Sequence, residues 1–331
     1  MALRGINLGG WLVAEKWMTR GLFEGVIGEG ERSLGRELPK SEAEARVRTH
    51  RQNFIHESDF EWIAEHGFDF VRVPFGYWLF EEEEGYTSGE HHLQDVFSWA
   101  QRHGLQVLLD FHGLQGSQNG KDHSGEVKGA PGFYDGNNIE RALGTLAHVV
   151  RAYGQQDGLL GIEVINEPLL PRRIGKLMNY YERAYQLVDI HTPKEVKVIV
   201  GDNFNPLKMQ RELARYSFGS RLIHDTHLYQ LFTKKEENMT LEEHIHKVTS
   251  DWRQLLQQLG GEVMIGEWTP ALPSRAVQDR EPMDALEIYH DAQINLFEEH
   301  AWAYCAWSYK VPDSLWWSYR DLPFIDKPRM N

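Results

Sequence analysis

Short apolar runs recur from one end of the chain to the other, separated by amphipathic segments. Residues 3–8, 70–74, 106–111, 161–166, 196–201, 222–227, 263–267 and 302–308 form near-continuous apolar stretches. That is the pattern of parallel strands covered on both faces. The intervening segments carry the 3.6-residue period of helices, the longest over 138–153, 174–190, 241–259 and 284–299. Ser41-x-x-Glu44 and Ser58-x-x-Glu61 read as capping boxes at helix starts. Gly67, Gly104, Gly154 and Gly260 follow helical runs and suit left-handed C-terminal caps. A short final helix is expected around 314–322, and the acidic run 81–84 reads as a solvated loop. Strand and helix thus alternate eight times in 331 residues. The expectation is an α/β fold, a (β/α)8 TIM barrel, in one domain spanning 1–331, with 323–331 as an extended tail. A doubly wound open sheet is the alternative reading of the same alternation.

Active groups of such a barrel lie where its strands end. Read in order, the strand exits are Glu15, Arg72, His112, Asn166-Glu167, Asp202-Asn203, His227 with Tyr229, Glu267 and Trp307. The strand bodies before them read as apolar. Val164-Ile165-Asn166-Glu167-Pro168 and Met264-Ile265-Gly266-Glu267-Trp268 stand out, because each apolar run terminates in a glutamate. A lone carboxylate is costly to bury, so both are expected to face a polar cleft. Two carboxylates across one cleft suit cleavage of glycosidic bonds: one protonates the leaving oxygen while the other attacks the anomeric carbon or activates water. Asn166 offers an amide to a sugar hydroxyl, Arg72 a cation that holds a glutamate ionised, His112, His227 and Tyr229 hydrogen-bond donors, and Trp307 a stacking face.

Composition narrows the partners. The net charge of −14 argues against nucleic acid or an anionic membrane surface. No apolar run is long enough to span a bilayer. The chain enters its first strand pattern at Leu3, with no visible signal peptide. The expected compartment is cytoplasmic, or secreted or periplasmic if a leader has been removed. Cys305, the one cysteine, lies in an apolar run and reads as a core residue. Sixteen histidines raise the question of a metal, but His244 and His246 fall two apart on a predicted helix and point to different sides. No catalytic metal and no cofactor are expected. The tail 323–331 packs on the barrel or reaches a second copy, which leaves a homo-oligomer open.

At this point the chain resembles a family, glycoside hydrolase family 5 of clan A, whose members are retaining (β/α)8 enzymes. Asn166-Glu167-Pro168 is similar to its Asn-Glu-Pro motif, and Gly266-Glu267-Trp268 to its Gly-Glu-Trp/Phe motif. The resemblance implies that Glu167 is the acid/base and Glu267 the nucleophile. It also marks Arg72, His112, Asn166, His227, Tyr229 and Trp307 as substrate-binding positions. Ionised Glu267 is then expected to raise the pKa of Glu167 by repulsion. More narrowly, the opening Gly5-Ile6-Asn7-Leu8-Gly9-Gly10-Trp11-Leu12-Val13 with Glu15, and the loop 116–125, resemble the exo-β-1,3-glucanase branch. That implies Glu15 and Asp122 bind the terminal glucose. Phe232 matches one of two phenylalanines that clamp the next sugar in that branch, and Lys121 stands where the other is expected. The implied substrate is a β-glucan or gluco-oligosaccharide, with β-1,3 or mixed linkage and exo action favoured. An endo-acting β-1,4 or mixed-linkage glucanase, a non-catalytic glucan-binding barrel and a metal-dependent barrel hydrolase are the rival readings.

Overall fold

A computed structural model describes residues 1–169, 174–202, 204–260 and 262–325. Eight parallel strands close into a barrel in chain order: β1 (Leu3–Asn7), β2 (Phe70–Gly76), β3 (Gln106–Gly113), β4 (Leu159–Glu163), β5 (Lys197–Gly201), β6 (Leu222–Leu228), β7 (Val263–Trp268) and β8 (Ala303–Ala306). Strand β1 pairs with β8 to complete the ring. The closed ring rules out the open-sheet alternative. Strands β4 and β8 stop earlier than expected, so Asn166, Glu167 and Trp307 lie on the loops that follow them.

Strand periodicity explains what fills the barrel. Side chains alternate between its lumen and the helices outside. Phe70, Leu108, Ile199, Ile223, Met264 and Cys305 form one closed apolar cluster, separate from the large core between sheet and helices. Two residues further along β2, β3 and β6, the same face carries Arg72, Asp110 and Asp225, all buried, and the end of β4 contributes buried Glu163. The expectation of apolar strand bodies is therefore wrong in their upper halves. The lumen changes from hydrocarbon to charge within one residue pair, and Cys305 sits in the apolar part as expected.

Helix positions follow the sequence period closely, and their ends less so. Asn138–Tyr153 is found as predicted. Gly175–His191 and Pro282–His300 are displaced by a residue or two. The run 241–259 is one rod with a π-helical middle, Lys247–Trp252. Both expected capping boxes are corrected. Ser41 lies inside the helix Lys40–Phe54, which starts after Pro39. Ser58 lies inside Glu57–Glu65, where Asp59 instead accepts the His56 backbone N–H at 2.8 Å. Thr233 with Glu236 and Thr240 with Glu243 form the boxes the sequence reading passed over. Gly104 is a left-handed cap, but Gly154 is right-handed, with φ −63°. Only a single 3-10 turn, Tyr319–Asp321, forms in the last predicted helix. The acidic run is not simply solvated, since Arg141 binds Glu81 at 3.0 Å and Glu83 at 2.8 Å. Phe324 and Ile325 pack into the core, and 326–331, the rest of the predicted tail, lie outside the described residues. Among the described residues no helix is long and apolar enough to cross a membrane.

Gly5 shows how tightly the lower lumen is filled. A Cβ added there lies 2.2 Å from the Phe70 ring. Gly5→Ala is expected to destabilise the fold by about 1–3 kcal/mol through overpacking, read as a lower denaturation midpoint at unchanged denaturant slope.

Candidate active site

Arg72 stands at the centre of the charged layer, fully buried, with every side of its guanidinium engaged. Its Nε donates to Glu163 Oε2 at 2.8 Å. Nη1 donates to Asn7 Oδ1 at 2.8 Å and Glu267 Oε1 at 3.2 Å, and lies 3.1 Å from Asp110 Oδ2. Nη2 donates to Asn166 Oδ1 at 2.9 Å. Burial works against this cation, but Asp110, Glu163 and Glu267 outweigh it and hold its pKa well above the ordinary arginine value. One side chain from β2 thus ties β1, β3, β4 and β7 together beneath the cleft.

The two predicted glutamates meet above it. Glu267 lies on β7 opposite His227 of β6, where the register slips by one residue. Such a bulge re-aims side chains at the strand end. Glu267 Oε2 accepts the Tyr229 hydroxyl at 2.9 Å. His227 bridges the pair: Nδ1 is 2.7 Å from Glu167 Oε1 and 3.4 Å from Glu267 Oε2, and Nε2 is 3.1 Å from Asp225 Oδ2. Asp225 also accepts the Gly266 backbone N–H at 2.6 Å. A Cβ on Gly266 lies 2.2 Å from that carboxylate, so only glycine fits. One carboxylate oxygen from each glutamate and one nitrogen of His227 all fall within 4.8 Å of one another.

Glu167 reaches this place through a strained backbone, with φ at +41°. For a residue with a β-carbon that conformation costs about 1–2 kcal/mol. The loop after β3 holds it there. Gln118 Nε2 donates to the Asn166 carbonyl at 2.9 Å and the His112 carbonyl at 2.6 Å, and Asn119 Nδ2 donates to the Glu167 carbonyl at 3.1 Å.

The remaining predicted residues fall into place around this centre. His112 Nδ1 sits 2.6 Å from Asp110, and its ring stacks on Trp307 at 5.5 Å and 11°. Glu15, Asp122 and His123 converge on one wall. Glu15 Oε2 accepts the Trp17 indole N–H at 2.8 Å, while its Oε1 is buried without a protein partner. Burial, then the neighbouring Asp122 carboxylate, push the Glu15 carboxyl well above the usual range. Phe232 stands apart at the rim, 67% exposed, its ring 5.2 Å from Tyr229 and 6.4 Å from Trp317.

The proton does not sit where the sequence reading placed it. Burial raises the Glu167 carboxyl, but His123, His227 and His112 outweigh burial and bring it down to about 2. Burial lowers the His227 imidazole, but Glu267, Asp225 and Glu167 outweigh it and raise it well above its ordinary value. The expectation that ionised Glu267 raises the Glu167 pKa is thus corrected: the shift is downward, because three imidazoles surround that carboxylate. The two opposite shifts favour a proton on His227 over one on Glu167, across a 2.7 Å contact.

Sequence reasoning missed Asn7, Trp17, Asp110, Asn119, His123, Glu163 and Asp225. A signal existed for two of them, since Asp110 and Glu163 are single charges inside mostly apolar runs, whereas Asp225 stands among His224, Thr226 and His227. Among the described residues three groupings have metal-ligand proximity: Glu15–Asp122–His123, Glu163–Asp225–His227 and Glu167–His227–Glu267. In the last two the donor atoms already bond one another or Arg72.

Removing Arg72 leaves Glu163, Asp110 and Glu267 without their shared cation. Arg72→Ala is expected to cost about 3–5 kcal/mol of stability, measured by chemical denaturation. Arg72→Lys is expected to recover only part of it, because an ammonium cannot reproduce the planar fork.

Residues 38–312 match the family model described as Cellulase (glycosyl hydrolase family 5). A probable glucan 1,3-beta-glucosidase A of Aspergillus niger is 36% identical over 277 residues, covering 82% of this chain and 65% of that protein. A glucan 1,3-beta-glucosidase of Kluyveromyces lactis is 31% identical over 377 residues, covering 97% of this chain and 86% of that protein. The chain thus spans about two thirds of the length of the first and most of the second. Among solved structures, a rutinosidase from Aspergillus niger superposes with a TM-score of 0.79 at 18% identity, over 94% of this chain and 90% of that one. The Thermotoga maritima Cel5A complex with cellobiose gives 0.61 at 15%, over 92% and 89%. The structural likenesses speak for the barrel, and the family model and the sequence relatives place this chain in glycosyl hydrolase family 5.

Proposed function

We propose that this chain is a retaining glycoside hydrolase that releases glucose from the non-reducing ends of β-glucans or β-gluco-oligosaccharides, with β-1,3 linkages preferred. The observation that carries the reading is the meeting of Glu167 and Glu267 oxygens within 4.8 Å across His227. Retaining pairs stand about 5–5.5 Å apart, while inverting pairs need about 6.5–9.5 Å to admit a water. The relatives named as glucan 1,3-beta-glucosidases support the linkage.

In this mechanism Glu267 attacks the anomeric carbon and forms a glycosyl ester as the glycosidic C–O bond breaks. Arg72 and Tyr229 donate hydrogen bonds to Glu267 and keep it aimed. The leaving oxygen takes its proton from Glu167, which first receives it from His227 Nδ1 across the 2.7 Å bond, so that departure of the leaving group leaves Glu167 ionised and His227 neutral. Loss of the Glu267 charge in the ester removes one of the groups that raise His227, so the proton returns less readily to it. Ionised Glu167 then deprotonates a water, which attacks the ester and frees glucose with retained configuration. In this reading Asn166 takes the sugar 2-hydroxyl, Trp307 the ring face, and Glu15 and Asp122 the hydroxyls at the closed end. The orphaned Glu15 Oε1 is a group that such a hydroxyl satisfies. Phe232 offers the next sugar an open-sided platform.

Glu267→Gln is expected to reduce turnover to background on every substrate. Glu167→Ala is expected to lower kcat on laminaribiose by about 10²–10⁴-fold and to spare activated aryl β-glucosides far more. Equal losses on both refute the acid role. A product time course on laminarin, lichenan and cellopentaose reads the remaining specificity. Glucose alone from the first minutes of laminarin digestion is expected, and mixed oligomers from the start mean endo action instead.

The pH dependence follows from the shared proton. His227 is raised, so the Glu167–His227 pair keeps its proton below that raised value and loses it as pH rises through it. The alkaline limb of kcat/KM on laminaribiose is expected above the ordinary imidazole value of about 6.5. A limb near the ordinary carboxylate range is the contrary result.

A further inference from the structure

A cavity of about 430 Å³ is bounded by the loops after β6, β7 and β8, on the face of the barrel where the strands end. That volume falls within the range of small-ligand sites, about 300–1,000 Å³. Neither glutamate of the acid pair lines it. Its aromatic and polar lining comes from Trp316, Trp317, Glu237, Ser274, Arg275 and Ser314. The loop after β8 is pinned, since the Trp317 carbonyl accepts the Ser308 N–H at 3.2 Å and the Ser314 carbonyl accepts the Trp317 and Ser318 N–H groups at 3.1 and 3.0 Å. The loop after β7 turns at Pro273, whose carbonyl accepts the Ala276 N–H at 2.9 Å, and its Ala271 and Leu272 are buried. Both tryptophans are half-buried, so their rings are held while part of each stays open.

The lining has the chemistry of a sugar site. An indole offers a flat apolar face and one N–H donor. Among the described residues, neither of these indole N–H groups, nor the Ser274 and Ser314 hydroxyls, nor the Glu237 carboxylate has a protein partner. Arg275 holds Gln278 Oε1 at 2.9 Å through Nη1, which leaves Nε and Nη2 for a ligand. The one carboxylate and the one guanidinium offset each other, so the lining suits a neutral, hydroxyl-rich molecule rather than an anion or a polycation. Trp317 joins this cavity to the cleft. Its ring lies 5.1 Å from Trp17 at 68° and 6.4 Å from Phe232, and Trp17 donates to Glu15. A glucan whose end residue sits against Glu15 and whose next residue lies on Phe232 runs on toward Trp317.

We propose that this cavity is a second glucan-binding site, which holds the β-glucan chain beyond the acceptor position on the Trp316 and Trp317 rings, with Arg275 and Glu237 bonding its hydroxyls. The inference rests on the substrate class proposed above and adds a preference for long chains. Only a chain that extends past Phe232 reaches the cavity, so a disaccharide or an aryl glucoside gains nothing from it.

The test uses the full chain and has two arms. The first needs no turnover. In Glu267→Gln, the Trp316 indole 1H–15N signal, assigned with Trp316→Phe, is expected to shift on titration with laminaripentaose and to stay still with maltopentaose. An unmoved signal, or equal shifts with both sugars, overturns the proposal. So does a signal that follows protein concentration and not sugar, which marks contact between two copies. The second arm is kinetic. In the parent chain kcat/KM is expected to rise by about tenfold from laminaribiose to laminaripentaose, as for one or two added contacts. Trp316→Ala and Arg275→Ala are each expected to remove most of that rise and to leave laminaribiose and aryl β-glucosides unchanged. Arg275 is exposed, so its variant decides the matter if Trp316→Ala does not fold. A rise that survives both substitutions, or equal losses on short and long substrates, overturns the site. If the parent chain hydrolyses no β-glucoside, the functional reading falls, and the indole titration, run on the parent, still decides whether the cavity takes a β-glucan.

Discussion

One cation, Arg72, makes the arrangement of the cleft possible. Buried carboxylates are tolerable when paired and hydrogen-bonded, and ruinous when left alone. Here three of them, Asp110, Glu163 and Glu267, share a single guanidinium with the amides of Asn7 and Asn166. The planar fork of arginine spreads its donors over four strands, which a compact ammonium cannot do. The pairing fixes Glu267 and Asn166 relative to one another across the top of the barrel. Glu163 keeps one oxygen without a partner, and burial raises its carboxyl well above the usual range. The layer beneath the cleft is thus rich in negative groups and retains protons.

That surplus shapes what happens above. His227 lies between Asp225 and the two glutamates, and the three negative neighbours hold it charged. Glu167, ringed by histidines, is in turn held ionised at rest. In the function proposed above, a proton stored one bond away lets a single carboxylate serve as acid and then as base. It also relocates the pH-sensing group from a glutamate to an imidazole.

The sequence made the barrel legible because eight apolar runs alternate with helical periods, and that alternation has few closed solutions. Glu167 and Glu267 were legible because each terminates such a run. The charged lumen was not. Asp110 and Glu163 break apolar strands for a single residue, Asp225 sits in a polar stretch, and a period-two reading assigns a face to each without saying that the face is closed. Caps failed for a related reason. Ser41 and Ser58 have the right spacing, but Pro39 and the His56–Asp59 pair start those helices one or two residues earlier. His123 was missed as a site residue because it lies in a short turn after β3, far along the chain from the Glu167 carboxylate it meets. The direction of the Glu167 shift was missed because it is set by three rings brought in from β3, its following loop and β6, none of them near Glu167 in the chain.

Gly266 has a consequence for anyone reshaping this cleft. Its missing side chain is the space that Asp225 occupies, and Asp225 orients the imidazole on the opposite side of the acid pair. A methyl group at 266 displaces that anchor. Libraries aimed at new acceptors therefore have usable freedom along the outer lip, at positions such as Phe232, and none at this interior position.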